Sequence, residues 1–549
     1  MNWLTSLAVV AVMSASGLAV ALVARETAAV ARAPDVGGRR RDAVALLALA
    51  ASAFVLRAAV ALPWPINWAQ TARAELACAP YVHDRFVAML AAPATLLAAD
   101  PLRAQGWATL SLSALAVALL AVLGALWVGR SAGLIAGSIA VASPEVLHFS
   151  RTGDASLAEV FFLTLALLGT EALARRKTAV AALGAGLAWA LLFHVRPETP
   201  GLVAVLVLWV AIDRRLAATA RDRLVAGALA APVVVSLVLD ALSSAVAGIP
   251  AHMPYDPLGG QFWRGLAGFG WWAILHPAYH PPLVALLAAA GVAVWRGRLR
   301  WVAVATVASL AVLATGGWAV SSLTAGTFEA SNLRYTLPLQ TVLHLLAAIP
   351  VARLWDAGAG ERRHPWARPA AVVLAGALLA GPVLHHGFIG KPAPLQVEHR
   401  FLSDHVSRVP RDARILVYGA EQLWVREQVR YRMDVAGFPL PPVPEPDDFD
   451  PADADEQGAH PACGERSGAV VTLDQASVAD GPVVYFRGWH EYAPGAEMRG
   501  SPPEAFRAAL LDRWVLVPIA TQRVETQPET VHPDGVMEVG LYGLAARPR

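Results

Sequence analysis

The long apolar segments of this sequence are joined by loops, and acidic residues together with arginines recur in one alternate set of these loops. Carboxylates accept protons, and guanidinium groups bind anions. The residues that could carry chemistry are the acids Glu75, Asp84 and Asp154, the arginines Arg151, Arg196 and Arg334, and the polar residues His83, Glu198 and Tyr335. Charged groups are costly in an apolar surrounding, so their recurrence in these loops predicts a polar cavity there.

Several of these residues also have plain structural interpretations. Ser156-Leu-Ala-Glu159 is a capping-box pattern that starts a helix, and Asp154 supports the same helix start by its charge. Thr199 followed by proline is typical of another helix start, which leaves Glu198 as a solvated flank. Arg151 has the alternative of reaching lipid headgroups. The sequence leaves both interpretations open.

The composition indicates what surrounds these segments. The 549 residues are 56% hydrophobic and 16% charged, with a mean hydropathy of +0.48, more apolar surface than one soluble core can bury. The bilayer is therefore the expected solvent. The net charge of +2 and the lack of arginine clusters interleaved with aromatics argue against a nucleic-acid partner.

About twelve apolar segments could cross a hydrocarbon core of about 30 Å as helices. They lie near residues 3–24, 43–62, 106–128, 131–148, 157–174, 179–195, 200–212, 224–247, 273–294, 301–320, 335–352 and 369–388. Residues 86–99, with Pro93 inside, are too short to span and are expected in the outer interface.

The arginines fix the predicted orientation. They concentrate in alternate loops, such as Arg39 to Arg41 and Arg214 to Arg223, and this bias marks cytoplasmic loops. We therefore expect a multi-pass protein of the bacterial inner membrane, with the N-terminus and everything after residue 388 outside the cytoplasm. The candidate residues of the first paragraph then all lie at the outer face.

After residue 388 the pattern changes to short β-rich runs between polar stretches. Strands are predicted at residues 414–418, 468–473, 482–486 and 514–518, and helices at 396–408 and 503–511. The expected organisation is a membrane domain of residues 1–388 and an extracytoplasmic α/β domain of residues 389–549. The tail shows no nucleophile motif, phosphate loop or metal spacing. Cys78 and Cys463 could form one disulfide if both lie outside the cytoplasm.

The order of several short motifs resembles the GT-C superfamily of membrane glycosyltransferases, which includes protein O-mannosyltransferases and lipid A aminoarabinose transferases. The resemblance covers residues 43–355. It is carried by an acid in the first outer loop, Tyr81-Val-His83-Asp-Arg-Phe, Gly129-Arg-Ser-Ala-Gly133, Ser143-Pro-Glu-Val-Leu-His-Phe-Ser-Arg151 followed by Asp154, Val195-Arg-Pro-Glu198 and Leu333-Arg-Tyr-Thr-Leu-Pro338.

The resemblance implies transfer of a sugar from a polyprenyl-phosphate carrier to a lipid, glycan or protein acceptor, in contact with membrane lipids. Glu75 then matches the general base, with Asp84 and Asp154 as substitutes. Arg151, Arg196 and Arg334 would bind the donor phosphate, and His83, Glu198 and Tyr335 would contact acceptor or sugar. The sequence departs from the family at Ala74, where the family often carries a second acid.

Two other functions compete with this one. A secondary transporter would need polar groups along a path to the inside, and a non-catalytic glycolipid-binding or scaffold protein would need no base. No resident metal is predicted, because prolines interrupt the cluster of His252, His276 and His280. A requirement for a divalent metal is left open by the sequence.

Overall fold

The computed structural model describes helices in the N-terminal part of the chain and a sheet with helices in the C-terminal part. The described residues are 3–30, 39–61, 90, 101–150, 156–195, 199–219, 221–246, 270–275, 282–321, 336–358, 364–380, 392, 394–420, 425, 429–430, 432–433, 436–438, 470–479, 481–492, 502–526 and 536–547. The predicted interfacial segment 86–99 falls outside this set except for Leu90, as do both cysteines and the three histidines above.

The N-terminal region is helical wherever the structure describes it. Its first seven helices are α1 (Trp3–Val30), α2 (Arg39–Ala61), α3 (Pro101–Trp127), α4 (Arg130–Val141), α5 (Pro144–Ser150), α6 (Ser156–Arg176) and α7 (Ala179–Phe193). After a 3-10 turn at Thr199–Leu202 come α8 (Val203–Ile212), α9 (Arg214–Thr219), α10 (Arg223–Val246), α11 (Pro282–Val294), α12 (Leu299–Ser321), α13 (Leu337–Ala357) and α14 (Ala367–Leu379).

Five of the described helices are long and apolar enough to cross a membrane. Their spans are Val10–Val30, Asp42–Val60, Gly106–Trp127, Ser156–Arg176 and Leu337–Ala357. Seven shorter apolar helices accompany them, and each of the twelve predicted segments contains helix. The chain is therefore a multi-pass helical protein, and the total of twelve crossings remains a prediction.

The predicted span 131–148 is two helices and not one. The helix α4 ends at Val141, and α5 begins at Pro144, where the proline ring and its missing N–H are tolerated in a first turn. A proline also disfavours helical geometry in the residue before it. That residue is Ser143, and the break between the two helices lies there. The break gives α5 its own short helix directly before Arg151.

Two glycines explain the Gly129-Arg-Ser-Ala-Gly133 motif. Gly129 joins α3 to α4 with a φ of 149°, in the region that favours glycine. Gly133 lies against the backbone of α3, where a Cβ would collide with Ala121 and Ala125. Small residues at such contacts let membrane helices approach closely, so the motif holds α3 and α4 together.

The described helices share one hydrophobic core that extends from α1 to α14. At its centre is α6, whose spanning window is 100% buried, whereas 28% of the α1 window and 11% of the α2 window are buried. The helix α6 packs against α3, α7 and α13, and α2 packs against α3, α4 and α5. These contacts set the position of the chain segments that lead to the candidate residues.

The C-terminal region forms a five-stranded sheet in the described residues. Its strands are β1 (Arg414–Val417), β2 (Val470–Val471), β3 (Val483–Arg487), β4 (Trp514–Glu525) and β5 (Val536–Ala546), in the order β2-β1-β3-β5-β4. The strand β1 is parallel to β2 and β3, and β5 is antiparallel to β3 and β4. Three helices accompany it, α15 (Pro394–His405), α16 (Leu473–Ser477) and α17 (Pro503–Arg513).

Alternation along the strands divides the core of this region into two faces. Ile415 and Phe486 belong to the cluster that includes Phe401 of α15, while Leu416 and Tyr485 belong to the cluster that includes Phe506 of α17. The four predicted strands and both predicted helices are confirmed. The strand β5 was not predicted, although it pairs with both β3 and β4. The boundary at residue 388 and the outer location of the tail remain predictions.

Candidate functional site

The structure describes the helix ends next to the predicted site residues, but it does not describe those residues themselves. All nine candidates lie outside the described residues: Glu75, His83, Asp84, Arg151, Asp154, Arg196, Glu198, Arg334 and Tyr335. Their roles therefore stay predictions. The described helix ends next to them, at Ser150, Ser156, Val195 and Thr336, show what holds the neighbouring chain.

A buried hydrogen bond joins two of these helix ends. The side chain of Glu145, in the first turn of α5, is completely buried. The hydroxyl of Thr336, at the start of α13, donates to its Oε1 at 2.5 Å. The other oxygen of this carboxyl group, Oε2, is buried without a hydrogen-bond partner among the described residues. We call Glu145 and Thr336 the α5–α13 clasp.

The clasp connects residues that are 191 positions apart in the sequence. Arg334 precedes Thr336 by two residues, and Arg151 follows Glu145 by six, so two of the three predicted phosphate-binding arginines lie close to the clasp in sequence. The third, Arg196, follows the end of α7. There His194 Nε2 and Ser236 Oγ of α10 lie 2.6 Å apart, in hydrogen-bonding distance.

Arg57 is a buried ionisable residue that the sequence analysis missed. It lies in α2, four residues before that helix ends, and it is 2% exposed. The predicted first outer loop follows α2 in the sequence. The guanidinium of Arg57 donates to Ser113 Oγ of α3 at 2.9 Å and to the carbonyl oxygen of Ala140 near the end of α4 at 3.2 Å. Its buried Nε has no hydrogen-bond partner among the described residues. A lone arginine inside an apolar span is a signal that the sequence did offer.

The start of α6 faces the protein interior. The helix begins at Ser156, and both Ser156 and Glu159 are buried. The capping-box pattern therefore coincides with a helix start to within one residue, the precision of such boundaries. Glu159 does not face lipid. The helix end beside Asp154 is thus packed within the protein.

The opposite end of α6 carries a compensated ionic network. Glu171 is fully buried and accepts from Arg175 Nε at 2.6 Å and from Arg215 of α9 at 3.3 Å. Arg215 also pairs with Asp213 at 2.6 Å. Burial raises the pKa of Asp213, but the hydrogen bonds from Arg215 outweigh it and hold the pKa below its usual value. This network joins α6 to α9, about 18 Å from Glu159 along the helix.

The sheet has an ionic network of its own. Glu491 is buried and accepts from Arg507 Nε at 2.7 Å and from the hydroxyl of Tyr485. Arg487 bridges to Glu538 at 2.7 Å. Burial raises the pKa of Glu491, and the hydrogen bonds and charges around it only partly oppose this effect. Since the group is enclosed and its polar atoms are engaged, it stabilises the sheet and does not form a ligand site.

No group of three or more His, Cys, Asp or Glu side chains in the described part of the chain could hold a metal ion. The described residues therefore contribute no metal centre, and the three histidines considered above are not among them. A requirement for a divalent metal is neither supported nor contradicted by the described residues.

Comparison with solved structures shows which known fold this arrangement matches. The chain is similar to ArnT from Cupriavidus metallidurans bound to undecaprenyl phosphate, with a TM-score of 0.55, 12% identity and coverage of 94% of this chain and 100% of that one. The apo form of ArnT gives a TM-score of 0.51 at 13% identity, covering 92% and 99%. The chain therefore shares the fold of ArnT, as the resemblance to the GT-C superfamily predicts.

An archaeal oligosaccharyltransferase supports the same assignment. AglB from Archaeoglobus fulgidus, in complex with an inhibitory peptide and a dolichol-phosphate, matches with a TM-score of 0.52 and 11% identity, covering 93% of this chain and 75% of that one. No protein-family model and no curated protein sequence matches the chain. The GT-C likeness is therefore carried by the path of the chain and not by close sequence identity.

Proposed function

We propose that this GT-C chain transfers a sugar from a polyprenyl-phosphate carrier to a lipid, glycan or protein acceptor at the extracytoplasmic face of the bacterial inner membrane. The observation that carries the proposal is the match over 94% of the chain to a transferase structure that contains undecaprenyl phosphate. The order of acids and arginines along the sequence supports the same chemistry.

The proposed reaction needs a base and a positive site. An acceptor hydroxyl that attacks the anomeric carbon must lose a proton, and Glu75 is the proposed acceptor of that proton, with Asp84 and Asp154 as the next candidates. The bond between the sugar and the phosphate breaks, and the departing lipid phosphate carries the negative charge. Arg151, Arg196 and Arg334 are proposed to stabilise that charge, with His83, Glu198 and Tyr335 contacting the acceptor or the sugar.

One sequence feature favours a second candidate function. Ala74 stands where the family often has an acid next to the proposed base, and a chain without a competent base would bind lipid-linked glycans without transferring the sugar. Such a protein would act in binding or scaffolding. A secondary transporter is the third candidate, and no observation in the described residues favours it.

The deciding experiment is sugar transfer in membranes. Envelope fractions that contain the wild-type chain receive a radiolabelled polyprenyl-phosphate donor pool, beside fractions with Glu75→Gln and with Glu504→Gln, an exposed acid in α17. We expect Glu75→Gln to lower transfer by about 10²- to 10⁴-fold at equal protein level, the usual contribution of a general base, and Glu504→Gln to leave it unchanged. Absence of transfer by the folded wild type with every donor would favour the binding or scaffold function.

A further inference from the structure

We infer that Glu145 and Thr336 are positioning residues of the donor-phosphate site, through the α5–α13 clasp. The inference rests on the proposed function, because it concerns the segments that carry Arg151 and Arg334. Both members of the hydrogen bond are completely buried, and the contact links two helix starts that the sequence separates by 191 residues. Neither residue is assigned contact with the substrate.

The chemistry of the clasp is the first reason for this inference. A buried carboxyl group is costly, and apolar residues of similar size usually stabilise a protein interior at least as well. In the described part of the chain the hydrogen-bond partner of Glu145 is the neutral hydroxyl of Thr336, so no salt bridge recovers that cost. What a directional hydrogen bond adds over apolar packing is a fixed geometry between two helix ends.

The place of the clasp is the second reason. Glu145 is in a seven-residue helix that the break at Ser143 separates from α4, so α5 is not held in line by the helix before it. The clasp and the contact of α5 with α2 instead fix it against its neighbours. Arg151 lies six positions after Glu145, and Arg334 lies two positions before Thr336. A shift of one helix end relative to the other would therefore move the described points from which the segments with the two arginines continue.

The chain offers a matched control for purely structural effects. Thr170 of α6 is also a completely buried threonine, and its hydroxyl accepts from Trp189 Nε1 of α7 at 2.9 Å. Thr170→Val and Thr336→Val each remove a threonine hydroxyl from a buried interhelical hydrogen bond. Thr170 lies at the end of α6 away from Ser156, so its loss should lower stability without altering the donor-phosphate site.

The experiment measures binding of undecaprenyl phosphate to the purified full-length chain in detergent, from the increase in unfolding temperature with lipid concentration. The variants are Thr336→Val, Thr336→Ser, Glu145→Ala, Glu145→Gln and Thr170→Val. We expect Thr336→Val and Glu145→Ala to weaken binding about tenfold or more, since small misplacements of binding groups have large effects. Serine restores the hydroxyl and glutamine retains an acceptor oxygen, so Thr336→Ser and Glu145→Gln should bind within about threefold of the wild type.

Each outcome decides between the clasp and its alternatives. Equal binding by Thr336→Val and Thr170→Val, at a similar loss of unfolding temperature, would mean that the clasp is only structural and would overturn the inference. Loss in Glu145→Gln as large as in Glu145→Ala would also overturn it, because a hydrogen-bonded clasp tolerates the amide. If the wild type binds no undecaprenyl phosphate, the proposed function fails together with the inference, which is a distinct result.

Discussion

Buried ionisable groups in the sheet and at one end of the helical region differ in the charge of their partners. In the sheet region, the carboxylate of Glu398 is paired with the buried guanidinium of Arg432 and accepts a backbone N–H as well. In the helical region, Arg57 and Glu145 are equally buried, but their hydrogen-bond partners among the described residues are neutral. Compensated charges contribute to holding a fold together. Uncompensated ones lower its stability.

The buried groups without a charged partner among the described residues lie near the predicted site. Arg57 lies near the end of α2 that leads into the loop with Glu75, and Glu145 lies near the start of the segment that leads to Arg151. The buried Glu171, at the other end of α6, is paired with two arginines. Among the described residues, buried ionisable groups without a counter-charge thus lie near the chain segments of the predicted site, where binding of a charged lipid is proposed.

The largest effect is expected in the sheet. Glu398→Ala leaves the buried guanidinium of Arg432 without its carboxylate, and breaking a buried pair in this way typically costs about 3–5 kcal/mol. We expect loss of the folded sheet at temperatures where the wild type retains it. The measurement is protease resistance of the C-terminal region in the full-length protein.

The control for this prediction is an exposed ion pair in the same region. Asp474 and Arg513 lie 3.1 Å apart, with 88% and 41% of their side chains exposed. Asp474→Ala should cost less than about 1 kcal/mol, as exposed pairs do. Equal sensitivity of the two variants would show that charge compensation does not distinguish buried from exposed pairs here.

The second-largest effect is expected in the helical region, where it tests the close contact between α3 and α4. Gly133→Val places a branched side chain against the backbone of α3 at Ala121 and Ala125, and overpacking of this kind typically costs about 1–3 kcal/mol. We expect a lower unfolding temperature in detergent. Gly227→Val, at a glycine whose added Cβ meets nothing within 4 Å, is the matched control. An unchanged unfolding temperature in Gly133→Val would contradict close backbone contact between α3 and α4.

A smaller effect, of reversed sign, is expected at Arg57. Arg57→Met removes a buried charge that only neutral groups solvate and retains most of the side-chain volume, so stability should stay within about 1 kcal/mol of the wild type or rise. The measurement is the unfolding temperature of the lipid-free protein in detergent. A loss as large as that of Glu398→Ala would remove the contrast between the two regions.

The smallest effect concerns Tyr542 at alkaline pH. Burial, together with its hydrogen bond to Glu538, raises the pKa of Tyr542 from about 10 to about 12. Because the pKa is higher in the folded state, the stability that this group contributes is complete below about pH 10 and is lost as the pH rises toward about 12. Tyr542→Phe should therefore lose less stability over this interval than the wild type.

The prediction can be checked directly by titrating phenolate absorbance. The difference between wild type and Tyr542→Phe should show one hydroxyl that ionises near pH 12. Ionisation of that hydroxyl at an ordinary value near 10 would show that Glu538 and the surrounding residues exert no net effect on it.

Apolar length predicted where the described helices of the N-terminal region lie, because it follows directly from the bilayer as solvent. The orientation that the arginine bias indicates stays a prediction. The break at Ser143 was missed although Pro144 signals it, since the residues on both sides remain apolar and hydropathy does not respond to backbone geometry. In the tail, Val536–Ala546 was missed because glycines and a glutamate interrupt its apolar pattern. Its strand character comes from pairing on both sides.

The candidate site was predictable only as a set of residue types. The resemblance to the GT-C superfamily agrees with the fold, but the assignment of Glu75 and the three arginines depends on motifs whose side chains lie outside the described residues. The α5–α13 clasp could not have been found from the sequence. Glu145 and Thr336 are ordinary polar residues in their own segments, and only the folded structure places the starts of α5 and α13 within hydrogen-bonding distance.

Complete burial of α6 has a consequence for how the protein responds to its membrane. The described protein leaves most of the α1 and α2 spans unburied and buries the whole span of α6, so in a bilayer we expect lipids to contact α1 and α2. A change in acyl-chain length alters the hydrocarbon thickness that lipid-facing helices must match, and they adapt by tilting. Thinner or thicker bilayers should therefore change the tilt of α1 and α2, while α6 keeps the orientation that its protein neighbours impose.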